Sequence, residues 1–204
     1  LTSHGPYYIN LNAREQDKID SSVERIIQTA KISDLCGAES MTFHAAFYMK
    51  DSPYDVFDLV EKSLNVIEER LGRLDIEIEL RPELTGKTSQ FGSLQELISL
   101  TKSVNSCSPC MDFSHLFART GEYNTYGEFT HVLERLQEEL GRAALDNMHI
   151  HISGISSNSK GDLKHLNLES SNFNWQELIR ALKDFDCKGY IICNSPNLEG
   201  DAKM

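Results

Sequence analysis

The sequence predicts an α/β protein, a (β/α) barrel of the TIM type, on three observations. Short apolar stretches alternate with amphipathic ones from end to end. Repeated units of this kind imply parallel strands, because each helix carries the chain back to start the next strand. No G-x-G-x-x-G and no G-x-x-x-x-G-K-[ST] occurs, which disfavours a nucleotide-binding doubly wound sheet. Polar residues gather at the C-terminal ends of the strands, where such barrels build their sites.

The elements follow in order. "TSHGPYYINL" opens as a short strand and runs into a loop. "DKIDSSVERIIQTAKI" spaces Ile19, Val23, Ile26, Ile27 and Ala30 as one face of a helix. "ESMTFHAA" reads as a strand, and a helix over 54–71 follows with Val56, Leu59, Val60, Leu64, Ile67 and Leu71 on its apolar stripe. "LDIEIELRPE" alternates as a strand. "SLQELISLTKSV" is a helix capped by Ser93, with Glu96 three residues on. "PCMDFSHLF" reads as a strand and loop, and "YGEFTHVLERLQEELG" as a helix stopped by Gly141. Then come the strand "MHIHISG", a polar loop "ISSNSKGDLKHLNLESS", the helix "NWQELIRALKDF" and the strand "GYIICNSP". Six strand–helix units result, in one domain over 1–204, the last strand with no helix after it. A full barrel has eight, so two N-terminal βα units are expected to be absent from this chain.

The bulk numbers fit. A chain of 204 residues, 40% hydrophobic and 25% charged, is an ordinary soluble globular domain. A net charge of −11 leaves no global basic field, so a polyanion would need a local patch or bound cations. No apolar run is long enough to cross a membrane, and the opening "LTSHGPYY" lacks the pattern of a signal peptide. Five cysteines (Cys36, Cys107, Cys110, Cys187, Cys193) without a disulfide framework fit a reducing cytoplasm. The lone C-x-x-C of Cys107 and Cys110 has no second pair, and reads as a loop leading into a strand.

The strand-end residues are His4, His44, Glu83, Asp112, His115 and His151, with His165 in the polar loop. All are nitrogen or carboxylate donors suited to zinc, manganese or iron. Each alone passes as a core or surface residue. Together they suggest a metal site, because five of the seven histidines fall at strand ends or just after them. His131 looks like a plain helix-surface residue. His149 sits deeper in its strand and reads as support for His151. Paired cations would suit phosphodiester cleavage.

"SHGPYYINL", "FHAA", "LRPELTGKTSQFGS", "CMDFSH", "HIHISG" and "ICNSPNLEG" resemble, in order, the motif series of the endonuclease IV family. These are apurinic/apyrimidinic endonucleases with a xylose-isomerase-like TIM barrel, and the archaeal-type branch is the best match. The resemblance implies two or three zinc ions, with manganese as the alternative metal, and cleavage of double-stranded DNA on the 5′ side of abasic sites. It implies a cytoplasmic repair enzyme acting as a monomer. It gives His4, His44 and Glu83 one zinc, with Glu83 bridging to a second held by Asp112 and His151. His115 and His165 fall to a third. Glu83, Asp112 and His151 carry the chemistry in this scheme. Tyr7 stands where the family places a residue that enters the DNA, and Gln90, Gly92 and Lys164 lie on the substrate side.

Two positions depart from the family. Asn194 in "CNSP" replaces a glutamate ligand of the second zinc, and an amide oxygen is the poorer ligand. Leu163 stands where the third zinc has an aspartate, with Asp162 one residue off. A local basic patch of Lys50, Lys87, Arg119, Lys160 and Lys164 would make DNA binding salt-sensitive. Two other classes stay open: a metal-dependent sugar isomerase or epimerase of the xylose-isomerase-like barrels, and a non-catalytic DNA-binding relative. Serine or cysteine nucleophile chemistry has little support, since no G-x-S-x-G elbow occurs.

Overall fold

Parallel strands joined by helices dominate both units into which the chain divides. The computed structural model describes residues 1–204; one unit comprises Leu1–Glu83 with Ser89–Pro109, the other Leu84–Thr88 with Cys110–Met204.

In the first unit the order is β1 (Thr2–His4), α1 (Gln16–Leu35), β2 (Ser40–Phe43), α2 (Pro53–Gly72), β3 (Glu79–Pro82) and α3 (Leu94–Ser103). The sheet runs β1-β2-β3, all parallel, with His4 opposite Thr42 and Phe43 opposite Pro82. Helix α1 buries Val23, Ile26, Ile27 and Ala30 as its spacing predicts. Helix α2 buries Val56, Val60, Leu64, Ile67 and Leu71, side chains whose full burial is worth about 1.5–3 kcal/mol each. Leu59, expected on that stripe, is 40% exposed instead. The strand expected from residue 74 begins only at Glu79. Asp75 takes a left-handed φ of 56° as the chain leaves α2, so the alternating "LDIEI" is spent on a turn and an extended entry. The predicted cap of α3 forms in full. Ser93 Oγ accepts from the Glu96 amide, and Glu96 Oε2 accepts from the amides of Ser93 (2.8 Å) and Gly92 (3.1 Å).

The second unit holds β4 (Cys110–Asp112), α4 (Phe113–Thr120), α5 (Tyr126–Leu140), α6 (Ala143–Asp146) and β5 (Met148–Ile152). It continues with β6 (Gly154–Asn158), β7 (Gly161–Leu166), a 3-10 turn (Leu168–Ser170), α7 (Trp175–Asp184), β8 (Gly189–Cys193) and α8 (Glu199–Ala202). Strands β4, β5 and β8 form a parallel sheet in that order, with Cys110 opposite His149 and Asp112 opposite His151. An aromatic cluster fills the space beside it. The rings of Phe113 and Phe129 meet edge to face at 5.9 Å, and Phe129 meets Phe173 at 6.0 Å.

Two segments of this unit differ from expectation. Residues 113–117, expected as loop, lie in α4, which runs on to Thr120. Asp112 caps it, its Oδ1 accepting from the His115 amide at 2.7 Å, and Gly121 ends it at φ 72°. The polar stretch 155–171, expected as loop, folds through residue 166 into the antiparallel hairpin β6–β7 and then into the 3-10 turn. Its strands carry Ser, Asn, Lys and His where strands usually carry β-branched or aromatic residues, so composition hid them.

Gly161 turns that hairpin at φ 107°, and a Cβ there would stand 2.1 Å from the Gly86 carbonyl oxygen. Gly161→Ala should therefore destabilise by roughly 1–3 kcal/mol, measured by urea unfolding; unchanged stability would mean the hairpin does not sit on residues 84–88.

Asp201 of α8 ties the end of the chain to the strand region. Its carboxylate accepts from Asn197 Nδ2 (2.6 Å), from Ser195 Oγ and from the Leu168 amide (2.7 Å). These bonds, that from Asn197 foremost, hold its carboxyl below the usual carboxylate range. A lowered folded value stabilises above the unfolded value of about 4 and is lost as pH falls through the folded one. Stability should fall on acidification below about pH 4, and Asp201→Asn should flatten that acid limb in urea titrations at several pH values.

Candidate metal centres

Chain reversal by helices puts the C-terminal ends of parallel neighbours side by side, and this places the donors. In the first unit β1 ends in His4, β2 is followed by His44 and β3 by Glu83. The Glu83 amide donates to the Phe43 carbonyl at 3.0 Å, continuing the β2–β3 ladder up to the carboxylate. Glu83 is 2% exposed. His4 Nε2 stands 3.0 Å and His44 Nε2 3.2 Å from the same oxygen, Glu83 Oε2. His4 Nδ1 lies 2.6 Å from the Gly5 carbonyl, which makes Nδ1 the donor and turns the Nε2 lone pair toward the carboxylate. Two acceptors at that separation repel unless a cation stands between them, either a proton on the ring or a metal ion. Holding a ligand imidazole by its other nitrogen is how proteins orient metal-binding histidines.

The second unit repeats the device. His115 Nδ1 lies 3.0 Å from the Leu84 carbonyl and His165 Nδ1 3.1 Å from the Asn194 carbonyl. With both Nδ1 atoms donating to backbone, the two Nε2 lone pairs face each other at 3.4 Å. Asp112 is fully buried; its Oδ1 accepts from Ser114 Oγ and the His115 amide, while Oδ2 has no hydrogen-bond donor. His115 Nδ1 comes within 3.3 Å of Oδ2 but is committed to Leu84. A buried carboxylate oxygen left bare costs several kcal/mol, about what a bound cation would restore. His151 is 3% exposed on the same face as Asp112, its register partner. The donor sets in both units thus fit divalent cations, with borderline ions such as zinc favoured by the imidazoles.

The remaining residues singled out by sequence take varied places. Tyr7 is 74% exposed, with its ring 5.1 Å from that of His4 and 5.7 Å from that of His44. Gln90 is buried and bridges to Phe47, and Gly92 adopts φ 122° above the α3 cap. Lys50, Lys87, Lys160 and Lys164 are exposed. Arg119 does not belong with them: Nη1 donates to the Thr85 and Lys87 carbonyls and to Thr85 Oγ1, so it braces residues 84–88. Asn194 acts through its main chain, its amide on the Ile152 carbonyl (2.8 Å) and its carbonyl on His165.

Leu163 is 60% exposed, and the hairpin register explains it. Ser156 pairs with Lys164 and Ser157 with Asp162, so Leu163 is the extra residue of a β-bulge. The bulge returns Asp162 to the strand face of His165, although its sequence spacing is one residue too long. The Asp162 carboxylate lies over the Gly86 Cα, where a Cβ would stand 2.6 Å from its Oδ1.

Comparison with known proteins places this architecture. A family model described as xylose isomerase-like TIM barrel matches residues 1–203. The chain belongs to that family, and its fold is the TIM barrel of that class. It is 44% identical, over its whole length and 74% of the relative's, to an uncharacterized protein of Methanocaldococcus jannaschii. A probable endonuclease 4 of Aster yellows witches'-broom phytoplasma is 25% identical over 89% of this chain, which spans 62% of that relative's length. Among solved structures, endonuclease IV of Thermus thermophilus superposes with a TM-score of 0.73 at 22% identity, covering 99% of this chain and 71% of that one. A D-tagatose 3-epimerase-like protein also reaches 0.73, at 17% identity over 99% and 72%. No helix is long and apolar enough to cross a membrane.

Proposed function

We propose that this chain is a metal-dependent phosphodiesterase of the endonuclease IV type, nicking double-stranded DNA on the 5′ side of abasic sites. The observation that carries the proposal is the convergence of ligand atoms in both units: His4 Nε2 and His44 Nε2 on Glu83 Oε2, and the facing Nε2 atoms of His115 and His165. It is supported by the motif series and by the endonuclease 4 relative. Bound divalent ions would supply Lewis acidity and neutralise charge on the phosphodiester.

The chain's own residues do the rest. Gly5, Leu84 and Asn194 fix three imidazoles through their carbonyls, so the ligand atoms need no reorientation when cations arrive. Glu83, Asp112 and His151 lie closest to the chemistry in this assignment, with His4, His44, His115 and His165 completing the ligands. Tyr7 offers an exposed ring for stacking on a base or on the gap left by a missing one. Lys164 and its exposed neighbours meet phosphates, and with a net charge of −11 that contact should weaken steeply with salt.

The test is nicking of a duplex with one abasic site by protein loaded with zinc or manganese, beside a ketose epimerisation assay. Nicking on the 5′ side is expected. Epimerisation without nicking would favour the sugar-metabolising branch of the family, and metal uptake with neither activity would favour a binding protein. Asn194→Glu should raise metal occupancy and nicking about tenfold, because the main-chain anchor of His165 stays in place while a carboxylate replaces the amide. No gain would mean that residue 194 does not face a cation.

A further inference from the structure

Below the strand-end donors of β4 and β5 lies a second layer. Side chains two residues apart on a strand share a face, and paired residues of parallel neighbours stand side by side. Cys110 and Asp112 therefore share a face with their partners His149 and His151. The Cys110 sulfur and a ring nitrogen from each of His149 and His151 all lie within 4.8 Å of one another. The three residues are 0%, 1% and 3% exposed. The two imidazoles stand edge to face with centroids 5.1 Å apart, and Tyr190 of β8 flanks His149 at 6.4 Å.

We propose that Cys110, His149 and His151 form an inner metal site, one step down the strands from the strand-end donors, that takes a thiophilic divalent ion such as zinc. A thiolate with two imidazoles is a soft donor set, preferring zinc or cobalt to magnesium, calcium or manganese. Around a tetrahedral zinc the ligand atoms stand roughly 3.5 Å apart, so three donors within 4.8 Å reach that geometry by small side-chain rotations. The strand-end sets contain no sulfur, which separates the two layers by chemistry. His151 is the one residue that both layers can use, so an ion in the inner site would draw it away from the outer one. The inner site does not rest on the nuclease reading, since its donors and its readout are independent of any reaction.

Cobalt(II) added to the metal-free full chain tests this. Wild type should develop the intense near-ultraviolet charge-transfer band of thiolate-bound cobalt. Cys110→Ser should lose it, and His44→Ala should keep it. His149→Gln, which retains the thiol, should weaken the cobalt affinity read from that band at least tenfold, and this holds the test open should Cys110→Ser fail to fold. A wild type without the band would overturn the proposal. So would a band persisting in folded Cys110→Ser, which would come from another cysteine, or an unchanged affinity in His149→Gln.

Discussion

Glu83→Ala should abolish metal-dependent nicking, with a loss on the order of a thousandfold or more in rate, as expected when several kcal/mol of electrostatic stabilisation go. Both neighbouring imidazoles converge on one oxygen of this carboxylate, at 3.0 and 3.2 Å, so removing it dismantles the donor set rather than trimming one ligand. Glu83→Gln keeps the volume and the main-chain bond to Phe43 but loses the charge. It should lose metal nearly as completely, which separates the role of charge from that of packing. Metal content by elemental analysis and nicking of an abasic duplex are the two readings. A Glu83→Ala protein that keeps its metal and nicks at the normal rate would remove the basis of the proposed function. The alanine variant should stay folded, because a buried carboxylate beside two histidines is a costly group to desolvate without a cation.

The second large effect concerns stability. Phe113→Ala should cost about 3–5 kcal/mol, the usual range for deleting a fully buried phenylalanine. Phe113 is the first residue of α4, is fully buried, and meets Phe129 edge to face at 5.9 Å. It also follows Asp112 directly, at the junction of β4 and α4. Urea unfolding of the substituted chain, set against wild type, gives the cost. A change below about 1 kcal/mol would mean the cavity closes by collapse of α5 onto β4.

Much of this was legible in one dimension. Helix α3 announces itself by Ser93 and Glu96, and α2 by a stripe at helical spacing. The donors at 4, 44, 83, 112, 115, 151 and 165 stand out because histidines and acids are unusual at the ends of apolar stretches. Other features were hidden for physical reasons. The signal for α4 is a single aspartate before it and a glycine after it, with only 8 residues between to show a period. In sequence Cys110 pairs with Cys107, its neighbour in a C-x-x-C spacing. Burial, with Glu79 nearby, pushes the Cys107 thiol far up, so that residue stays a protonated packing group. The functional companions of Cys110 come from the next strand, remote in sequence, and only pairing reveals them. Asn194 departs from the motif in its side chain, while its carbonyl holds His165, a role that any residue could fill and that no motif can show.

The bulge at Leu163 carries a lesson about counting. A linear pattern measures separation in residues, whereas a ladder measures it in rungs, and here the two tallies disagree by one. An acid that looks misplaced on paper stands on the same side of the ribbon as His165, because the weave absorbs the extra letter.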